Sequence, residues 1–406
     1  MQSVPGVVAT GSQLIGEQLP GRYRPRYRPH PETRSLPVRS ADANSVLSKL
    51  MLYDKTSITI LREQLIQKLK SQAFIPHSVF QGGDTQTLAA YLWPLRPRDR
   101  TGDEERLFQV EPGSQVLARC RWQLNRTEHP TMVMWHGMEG STASAYMVST
   151  AEKAFRGGFN VVRVNFRNCG GTEHLSPTLY HGGLTDDLRM VVDELIKSDR
   201  LSRILIAGFS LGGNMVLKLA GEYGDDPPPE VLGICAVSPT VDLGASTTNM
   251  AQRRNWIYQQ DFLRRLKNRI RRKAKLFPGL YDVSGLGQVH SIEEFDARFI
   301  APAFGFADAR DYYSQASSLP FIKRIRIPTL IIHAEDDPFI PFAPLRDPSV
   351  AANPYVLLMA TERGGHVAFL SANTQDEDRF WAENRLIEFF DLLADNTNGL
   401  HGGAGQ

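Results

Sequence analysis

The sequence predicts an α/β fold with a mostly parallel central sheet, helices on both faces and an inserted helical cap. Continuous apolar runs alternate with amphipathic helical runs along most of the 406 residues, which is the pattern of βαβ units in a parallel sheet. A pair of strand-like runs separated by a turn precedes them and predicts an antiparallel edge. One segment, about residues 241–321, breaks the alternation without a strand pattern, so we expect it to form the cap.

The individual elements follow from the apolar pattern in chain order. "RLFQV" and "QVLARCRW" flank the turn sequence "EPGS" and predict a hairpin. Six buried strands are then predicted at "TMVMW", "FNVVRVNF", "RILIAGF", "VLGICAVS", "IPTLIIHA" and "PYVLLMA". A final helix is predicted in "TQDEDRFWAENRLIEFFDLLAD", where Thr374 and Glu377 have the spacing of a capping box.

The two ends of the chain differ from this central domain, which spans residues 74–395. Residues 1–45 mix proline with arginine and tyrosine without an apolar period, which predicts a disordered tail. Residues 46–73 carry leucines at four-residue spacing and predict an amphipathic helical extension, which either packs on the main domain or contacts a membrane peripherally. Residues 396–406 are rich in glycine and predict a flexible tail.

Charge, cysteine content and ligand spacing exclude several classes of function. The net charge of +2 gives no general attraction for nucleic acid, and nothing in the sequence implies an obligate protein partner. Three scattered cysteines fit a reducing compartment, and neither a signal peptide nor a membrane-spanning run is evident, so we expect a cytoplasmic protein. We expect no metal and no cofactor, because His and Cys lack ligand spacing and no dinucleotide-binding fingerprint follows the first parallel strand.

The pentapeptide "GFSLG" at residues 208–212 lies where a predicted strand becomes a predicted helix. Such a turn is sharp, and small residues on both sides let the strand and the helix approach each other closely. The turn forces Ser210 into an uncommon backbone conformation and exposes its hydroxyl at the carboxyl edge of the sheet. The pattern therefore predicts a serine nucleophile, which needs a base to accept its proton.

A histidine and an acid follow the serine in the order that this architecture uses. His366, in "RGGHVAF", lies between the last predicted strand and the last helix, whereas His401 lies in a glycine-rich tail that cannot hold a fixed geometry. The loop after "IPTLIIHA" offers Glu335, Asp336 and Asp337. We prefer Asp337, because the proline that follows restricts it to an extended backbone.

The loop "HGMEGS" follows the first parallel strand and predicts an oxyanion hole. Backbone N–H groups from such a loop and from the residue after the nucleophile stabilise a tetrahedral oxyanion, which nominates the amides of Met138 and Leu211. His136 is interpreted as part of the loop architecture. The later stretch "NFRNCGGTEHLSPTLYHGG" has two interpretations. It is either a loop beside the substrate or a connector whose polar groups hydrogen-bond to one another, and we favour the connector.

Several motifs together resemble one family. They are "GGDTQTLAAYLWP", "HGMEGSTASAY", "NFRNCGGTEHLSPTLYHGGLTDDL", "GFSLGGN", "HAEDDPFIP" and "GGHVAF", across about residues 74–395. The chain resembles the YheT-like branch of the α/β-hydrolase superfamily, which is related to abhydrolase-domain phospholipases and lipases and to yeast medium-chain acyl ester synthases. The resemblance implies a catalytic triad of Ser210, Asp337 and His366, with the acid four residues before a proline. It departs at Asp84-Thr85, where the family often has His-Leu.

Three functions remain open from the sequence. The leading one is a serine hydrolase that cleaves carboxylic acyl esters, including lipid or medium-chain esters, through an acyl-enzyme. The second passes the acyl group to an alcohol and is an acyltransferase. The third is a binding protein that keeps the fold without catalysis, although three separated triad residues argue against it.

The cap contains an amphipathic stretch with ten Lys and Arg residues between Arg253 and Lys275. Phe262, Leu266 and Ile270 recur at four-residue spacing and predict one apolar face. This face either packs over the pocket while the charges are solvated, or the helix docks on anionic lipid.

Overall fold

Eight strands form one sheet in the part of the chain that the computed structural model describes, residues 63–64, 66–67, 73–92, 102–372 and 377–401. The order across the sheet is β1-β2-β4-β3-β5-β6-β7-β8, antiparallel for the β1–β2 and β2–β4 pairs and parallel elsewhere. The predicted mostly parallel sheet with an antiparallel edge is confirmed. The strands are β1 (Glu104–Glu111), β2 (Ser114–Arg121), β3 (Thr131–Trp135), β4 (Asn160–Val164), β5 (Ile204–Phe209), β6 (Val231–Val237), β7 (Thr329–Ala334) and β8 (Val356–Thr361).

Burial follows the position of each strand in the sheet. All residues of β3, β4, β5, β6 and β7 are buried, because helices cover both faces there, whereas β2 alternates between buried and half-buried positions. Neighbouring residues of β3 enter two separate cores: Val133 and Trp135 pack on one face of the sheet, and Met132 and Met134 on the other.

Helices follow or precede the parallel strands as expected for βαβ units. Their bounds are α1 (Gly83–Leu92), α2 (Ala145–Arg156), α3 (Thr185–Lys197), α4 (Leu211–Tyr223), α5 (Leu243–Met250), α6 (Trp256–Leu276), α7 (Ile292–Phe295), α8 (Ala301–Phe304), α9 (Ala309–Ala316), α10 (Leu319–Ile322), α11 (Pro348–Ala352) and α12 (Trp381–His401), with a π-helical turn at Asp296–Ile300. Between β6 and β7 the described chain contains helices and turns but no strand. Among the described residues, no helix is both long and apolar enough to cross a bilayer.

The last helix begins at Trp381, later than the sequence predicts. The residues before it pair with the backbone after β8: Phe380 bridges Leu370, and the Ser371 amide donates to the Arg379 carbonyl at 2.8 Å. Thr374 of the predicted capping box lies outside the described residues. The helix continues to His401.

Most of the predicted extensions at the two ends lie outside the described residues. This applies to residues 1–45, to residues 402–406 and to most of 46–73. Within the predicted amphipathic extension, residues 63–64 and 66–67 are helical.

Candidate active site

Ser210 occupies a strained corner between β5 and α4. Its backbone has φ 55° and ψ −117°, a conformation that side-chain-bearing residues rarely adopt. The corner needs glycines because a Cβ on Gly208 would lie 2.3 Å from the Gly212 carbonyl oxygen, and one on Gly212 would lie 2.6 Å from the His136 carbonyl oxygen. The Ser210 amide donates to the Val237 carbonyl at 2.9 Å, which ties the corner to the end of β6.

His366 and Asp337 contact each other at the same edge of the sheet. The His366 Nδ1 lies 2.8 Å from Asp337 Oδ2, with the Asp337 side chain fully buried and the His366 side chain 12% exposed. The other carboxylate oxygen of Asp337 accepts from the amides of Phe339 and Ile340 at 2.8 and 3.0 Å. Burial opposes ionisation of Asp337, but His366 and these hydrogen bonds hold its pKa below the ordinary value.

Asp336 points to a different partner from Asp337. Its Oδ1 accepts from the Gly365 amide at 2.9 Å, so it contacts the backbone of the loop that carries His366. Burial raises the pKa of Asp336, and the Gly365 amide opposes that rise. Of the three acidic candidates in this loop, Asp337 is therefore the one in contact with the imidazole, as we preferred from the sequence.

The early helix α1 braces the loop after β8, which the sequence did not predict. Thr87 Oγ1 accepts from the His366 amide at 2.8 Å. The Gln86 side chain accepts from the Leu370 amide at 2.7 Å and donates to the Leu370 carbonyl at 2.9 Å. The only sequence signal was the position of these residues inside the first matching motif, next to the departure at Asp84-Thr85.

The loop after β3 brings Met138 to the cavity beside the nucleophile. The amides on either side of Met138 are already bound: that of Gly137 donates to the Tyr146 hydroxyl at 2.9 Å and that of Glu139 to the Tyr180 hydroxyl at 3.2 Å. Met138 and Leu211 line the same cavity as Ser210. The arrangement thus places both proposed oxyanion residues next to the serine, with two tyrosines fixing the loop.

A buried ion pair joins this loop to the cap. Glu139, which has a positive φ of 58°, pairs with Arg269 of α6, and both side chains are 5% exposed. Arg269 also lies over the Tyr180 ring at 4.7 Å and donates to Cys169 Sγ at 3.3 Å. Separating a buried ion pair leaves an uncompensated charge in the protein interior, which is unfavourable. The pair therefore fixes the cap helix against the loop.

His136 is held entirely by backbone groups. Its Nδ1 lies 2.7 Å from the Gly137 carbonyl oxygen, and its Nε2 accepts from the Phe166 amide at 3.1 Å. Burial lowers the pKa of His136 to about 4. In the neutral ring both nitrogens therefore have hydrogen-bond partners. This agrees with the interpretation of His136 as part of the loop architecture.

The stretch 165–183 combines the two predicted roles. Arg167 pairs with Asp187 at 2.7 Å and Asn168 donates to the Thr178 carbonyl at 2.7 Å. Such contacts are those expected of a connector whose polar groups bind other parts of the protein. Tyr180 and His181, near its end, nevertheless line the cavity. Burial raises the pKa of the Cys169 thiol to about 12, which disfavours the thiolate that a nucleophile needs.

The cavity at this sheet edge measures about 770 Å³ and contains Ser210 and His366 in its wall. The rest of the wall is mostly apolar, and α1, the cap and the loop after β7 contribute Leu88, Leu243, Met250, Phe262, Phe339 and Ile340 to it. Of the predicted apolar face of α6, Leu266 and Ile270 are buried and Phe262 packs against the core. Among the described residues, no group of His, Cys, Asp and Glu has the arrangement of a metal site.

The order of strands, the strained serine corner and the His–Asp pair define an α/β hydrolase. The family model for the α/β hydrolase fold matches residues 130–372, and the chain belongs to this family. The resemblance to the YheT branch is also confirmed. YheT of Escherichia coli (strain K12), which carries a provisional esterase name, is 36% identical over 79% of this chain and 93% of its own.

Two yeast relatives carry names that describe ester chemistry. The monoacylglycerol lipase of Saccharomyces cerevisiae is 29% identical over 66% of this chain and 60% of its own. The medium-chain fatty acid ethyl ester synthase/esterase 2 of the same yeast is 28% identical over 66% of this chain and 63% of its own. The chain is therefore an α/β hydrolase related to esterases and lipases.

Proposed function

We propose that the protein is a serine hydrolase of carboxylic acyl esters, with Ser210 as nucleophile, His366 as base and Asp337 as the orienting acid. The observation that carries the proposal is the 2.8 Å contact between His366 and Asp337 in a cavity wall that also contains the strained Ser210. The non-catalytic alternative leaves this combination without a purpose.

The tautomer of His366 follows from its partner. An ionised carboxylate only accepts hydrogen bonds, so the Nδ1 of the neutral ring carries the proton and donates a hydrogen bond to Asp337. The lone pair is then on Nε2, the nitrogen that receives the Ser210 proton. Because the pKa of Asp337 is held low, the acid stays ionised and stabilises the imidazolium that forms.

The reaction then has two halves. Ser210 Oγ attacks the ester carbonyl as Nε2 of His366 takes its proton, and the amides of Met138 and Leu211 donate to the developing oxyanion. Collapse of this intermediate expels the alcohol, which receives the proton from His366, and leaves an acyl-enzyme. Water activated by the same imidazole attacks the acyl-enzyme and releases the carboxylic acid.

The substrate that the cavity suits is an ester with a sizeable apolar part, such as a lipid or medium-chain ester. The wall around Ser210 consists largely of aliphatic and aromatic side chains, and its volume is about 770 Å³. The names of the two yeast relatives support the same class of substrate.

Covalent labelling and a chain-length series test this proposal. A fluorophosphonate reagent should label the wild type and leave Ser210→Ala unlabelled, and Ser210→Ala should lose esterase activity by several orders of magnitude while folding normally. Nitrophenyl esters of increasing acyl length should then identify the preferred chain. Turnover of Ser210→Ala at the wild-type rate would contradict the assignment.

Acyl transfer is the second candidate, because one relative is named both synthase and esterase. An alcohol that replaces water in the second half of the reaction gives a new ester from the same acyl-enzyme. Product ester that accumulates with added alcohol, in excess over acid, supports the acyltransferase; release of acid alone supports the hydrolase.

We further propose that the protein acts in the cytoplasm and contacts a membrane surface peripherally. Cys120, Cys169 and Cys235 are free and buried, which suits a reducing compartment. At the rim of the cavity, Tyr91 and Ile257 are 68% and 73% exposed. Binding to vesicles should need anionic lipid, weaken with salt and fall in Ile257→Ser; equal binding to neutral and anionic vesicles contradicts it.

A further inference from the structure

Asp296 is an acidic residue in the cavity wall that the proposed reaction does not use. It is contributed by the cap, where it begins the π-helical turn Asp296–Ile300, an uncommon geometry that is frequent at functional sites. Its Oδ2 accepts a hydrogen bond from the Tyr313 hydroxyl at 2.8 Å. Tyr313 lines the same cavity, so the two side chains form a polar spot in a mostly apolar wall.

The surroundings of Asp296 make this spot unusual. Ile292, Phe295 and Ile300 of the same segment line the cavity beside it, and among the described residues no Lys or Arg lies within ion-pair distance of its carboxyl group. Burial raises the pKa of Asp296 to about 7, although the Tyr313 hydrogen bond opposes the rise. A half-buried carboxyl group with no cation beside it offers a hydrogen-bonding site to a neutral group, as an acceptor when ionised and as a donor when protonated.

The polar spot connects to the nucleophile through a short series of contacts. The Gly182 amide donates to the Tyr312 hydroxyl at 2.9 Å, and a Cβ on Gly182 would lie 2.8 Å from Leu211 Cδ1. Leu211 follows Ser210 directly, and the Tyr312 and Tyr313 rings have centroids 5.1 Å apart. The wall therefore runs from Ser210 through Leu211 and the two tyrosines to Asp296, within one cavity.

We propose that Asp296 and Tyr313 form a subsite that binds a hydroxyl group of the ester substrate. The proposal rests on the proposed esterase function and adds a substrate class to it, esters that carry a free hydroxyl. The Tyr313 proton is already donated to Asp296, so the phenol oxygen is left as an acceptor. A substrate hydroxyl can donate to that oxygen or to a carboxylate oxygen of Asp296, and it can accept from Asp296 when the acid is protonated. The hydroxyl can belong to the alcohol part or to the acyl part of the ester, and the experiment separates these sources.

Isosteric ester pairs test the subsite. For the alcohol part, 2-hydroxyethyl octanoate is compared with propyl octanoate; for the acyl part, ethyl 8-hydroxyoctanoate is compared with ethyl nonanoate. In wild type, kcat/KM for the hydroxylated member of one pair should exceed that of its partner by about tenfold to a hundredfold, because the apolar analogue covers the half-buried Asp296 without supplying a hydrogen bond to it. The pair that discriminates identifies which part carries the hydroxyl.

Variants assign the discrimination to the subsite. Asp296→Leu should reduce the ratio within the discriminating pair to near one, and Tyr313→Phe should reduce it in part. The matched control is Glu293→Gln, which removes a charge three residues away on the same segment, where the side chain is 55% exposed, and should keep the wild-type ratio. Equal kcat/KM values within both pairs in wild type, or a parallel loss for both members in Asp296→Leu, would overturn the proposal, since the latter indicates a role in folding alone.

A binding measurement keeps the subsite testable even if the esterase proposal fails. Calorimetry with Ser210→Ala compares two uncleavable ethers, 2-(octyloxy)ethanol and octyl propyl ether. The hydroxylated ether should bind about tenfold more tightly, and Asp296→Leu introduced beside Ser210→Ala should remove the difference. Ethyl 8-hydroxyoctanoate and ethyl nonanoate are compared in the same way, since Ser210→Ala does not cleave them. Equal affinities within both pairs contradict the subsite whether or not fluorophosphonate labels Ser210.

Discussion

The loops after β3 and β8 each bring a histidine to the same edge of the sheet, and the two histidines are held in different ways. His136 is fully buried, and both its nitrogens contact backbone groups. His366 contacts a buried carboxylate through one nitrogen and reaches the cavity with the rest of its ring. A histidine of the first kind fixes a loop, whereas one of the second kind has a nitrogen available for chemistry.

The two loops also differ in what braces them. The loop after β3 depends on charge, through the buried pair between Glu139 and Arg269 of the cap helix. The helix α1 braces the loop after β8 through neutral groups: Thr87 and Gln86 accept from the amides of His366 and Leu370. Loss of a brace should therefore be more damaging at the first loop, because an unpaired buried charge is harder to accommodate than an unpaired amide.

The largest expected effect separates the two histidines by activity. His366→Ala should lower kcat/KM by about 10⁴-fold or more with little change in Tm, since triad members act as a unit. His136→Ala should instead lower Tm and leave measurable turnover in the folded fraction, because it removes a loop support. Steady-state kinetics and thermal unfolding of both variants check this. A greater loss of turnover in folded His136→Ala than in His366→Ala would reverse the two roles.

The neighbouring acids sharpen the same contrast within one loop. Asp337→Asn should lower kcat by up to about 10⁴-fold with little loss of stability, because the amide no longer holds the imidazole in the reactive tautomer. Asp336→Asn should lose far less, since that side chain accepts from a backbone amide. If the kinetics of the two variants came out in the opposite order, the acid would be Asp336 while Ser210 and His366 stood.

Removing the ionic brace should have the next largest effect. Arg269→Met leaves Glu139 buried without its partner and should lower the free energy of unfolding by about 3–5 kcal/mol. It should also reduce kcat more than it raises KM, because Glu139 adjoins Met138. Denaturant unfolding and kinetics check both effects, and Glu139→Gln added to Arg269→Met should recover part of the stability.

The control for this brace is a neighbouring cation of the same helix. Arg264 pairs with Asp261 at 2.6 Å, and the two side chains are 66% and 42% exposed. Arg264→Met should change the stability by no more than about 1 kcal/mol. Equal losses in Arg269→Met and Arg264→Met would mean that burial of the Glu139 pair is not what stabilises the loop.

The smallest expected effect is a pH dependence from His136. Its pKa is lowered to about 4 in the fold, whereas an unfolded histidine has a pKa of about 6.5, so the unfolded state binds the proton first. The contribution of neutral His136 to the free energy of unfolding is fully present above the pKa of the unfolded state. It is lost as pH falls from about 6.5 towards 4, and the loss is roughly 2 kcal/mol at pH 5. In His136→Gln, urea unfolding at pH 7 and pH 5 should show a smaller difference; an unchanged difference contradicts the assignment.

The sequence by itself determined the sheet and the position of the nucleophile. Apolar runs predicted all eight strands, and the glycines around Ser210 predicted a strained corner, because strand periodicity and turn geometry depend on residues close together in the chain. The position of His366 after the last strand followed from the same local pattern. These features need no knowledge of distant contacts.

Only the tertiary structure decided the contacts between distant segments. The pairing of Arg269 with Glu139, the support of His366 by Thr87 and the place of Asp296 in the cavity each join residues far apart in sequence. The start of the last helix at Trp381 was also decided this way, since Arg379 and Phe380 pair with the segment after β8. Periodicity cannot predict such contacts, because they depend on how the cap and α1 pack against the edge of the sheet.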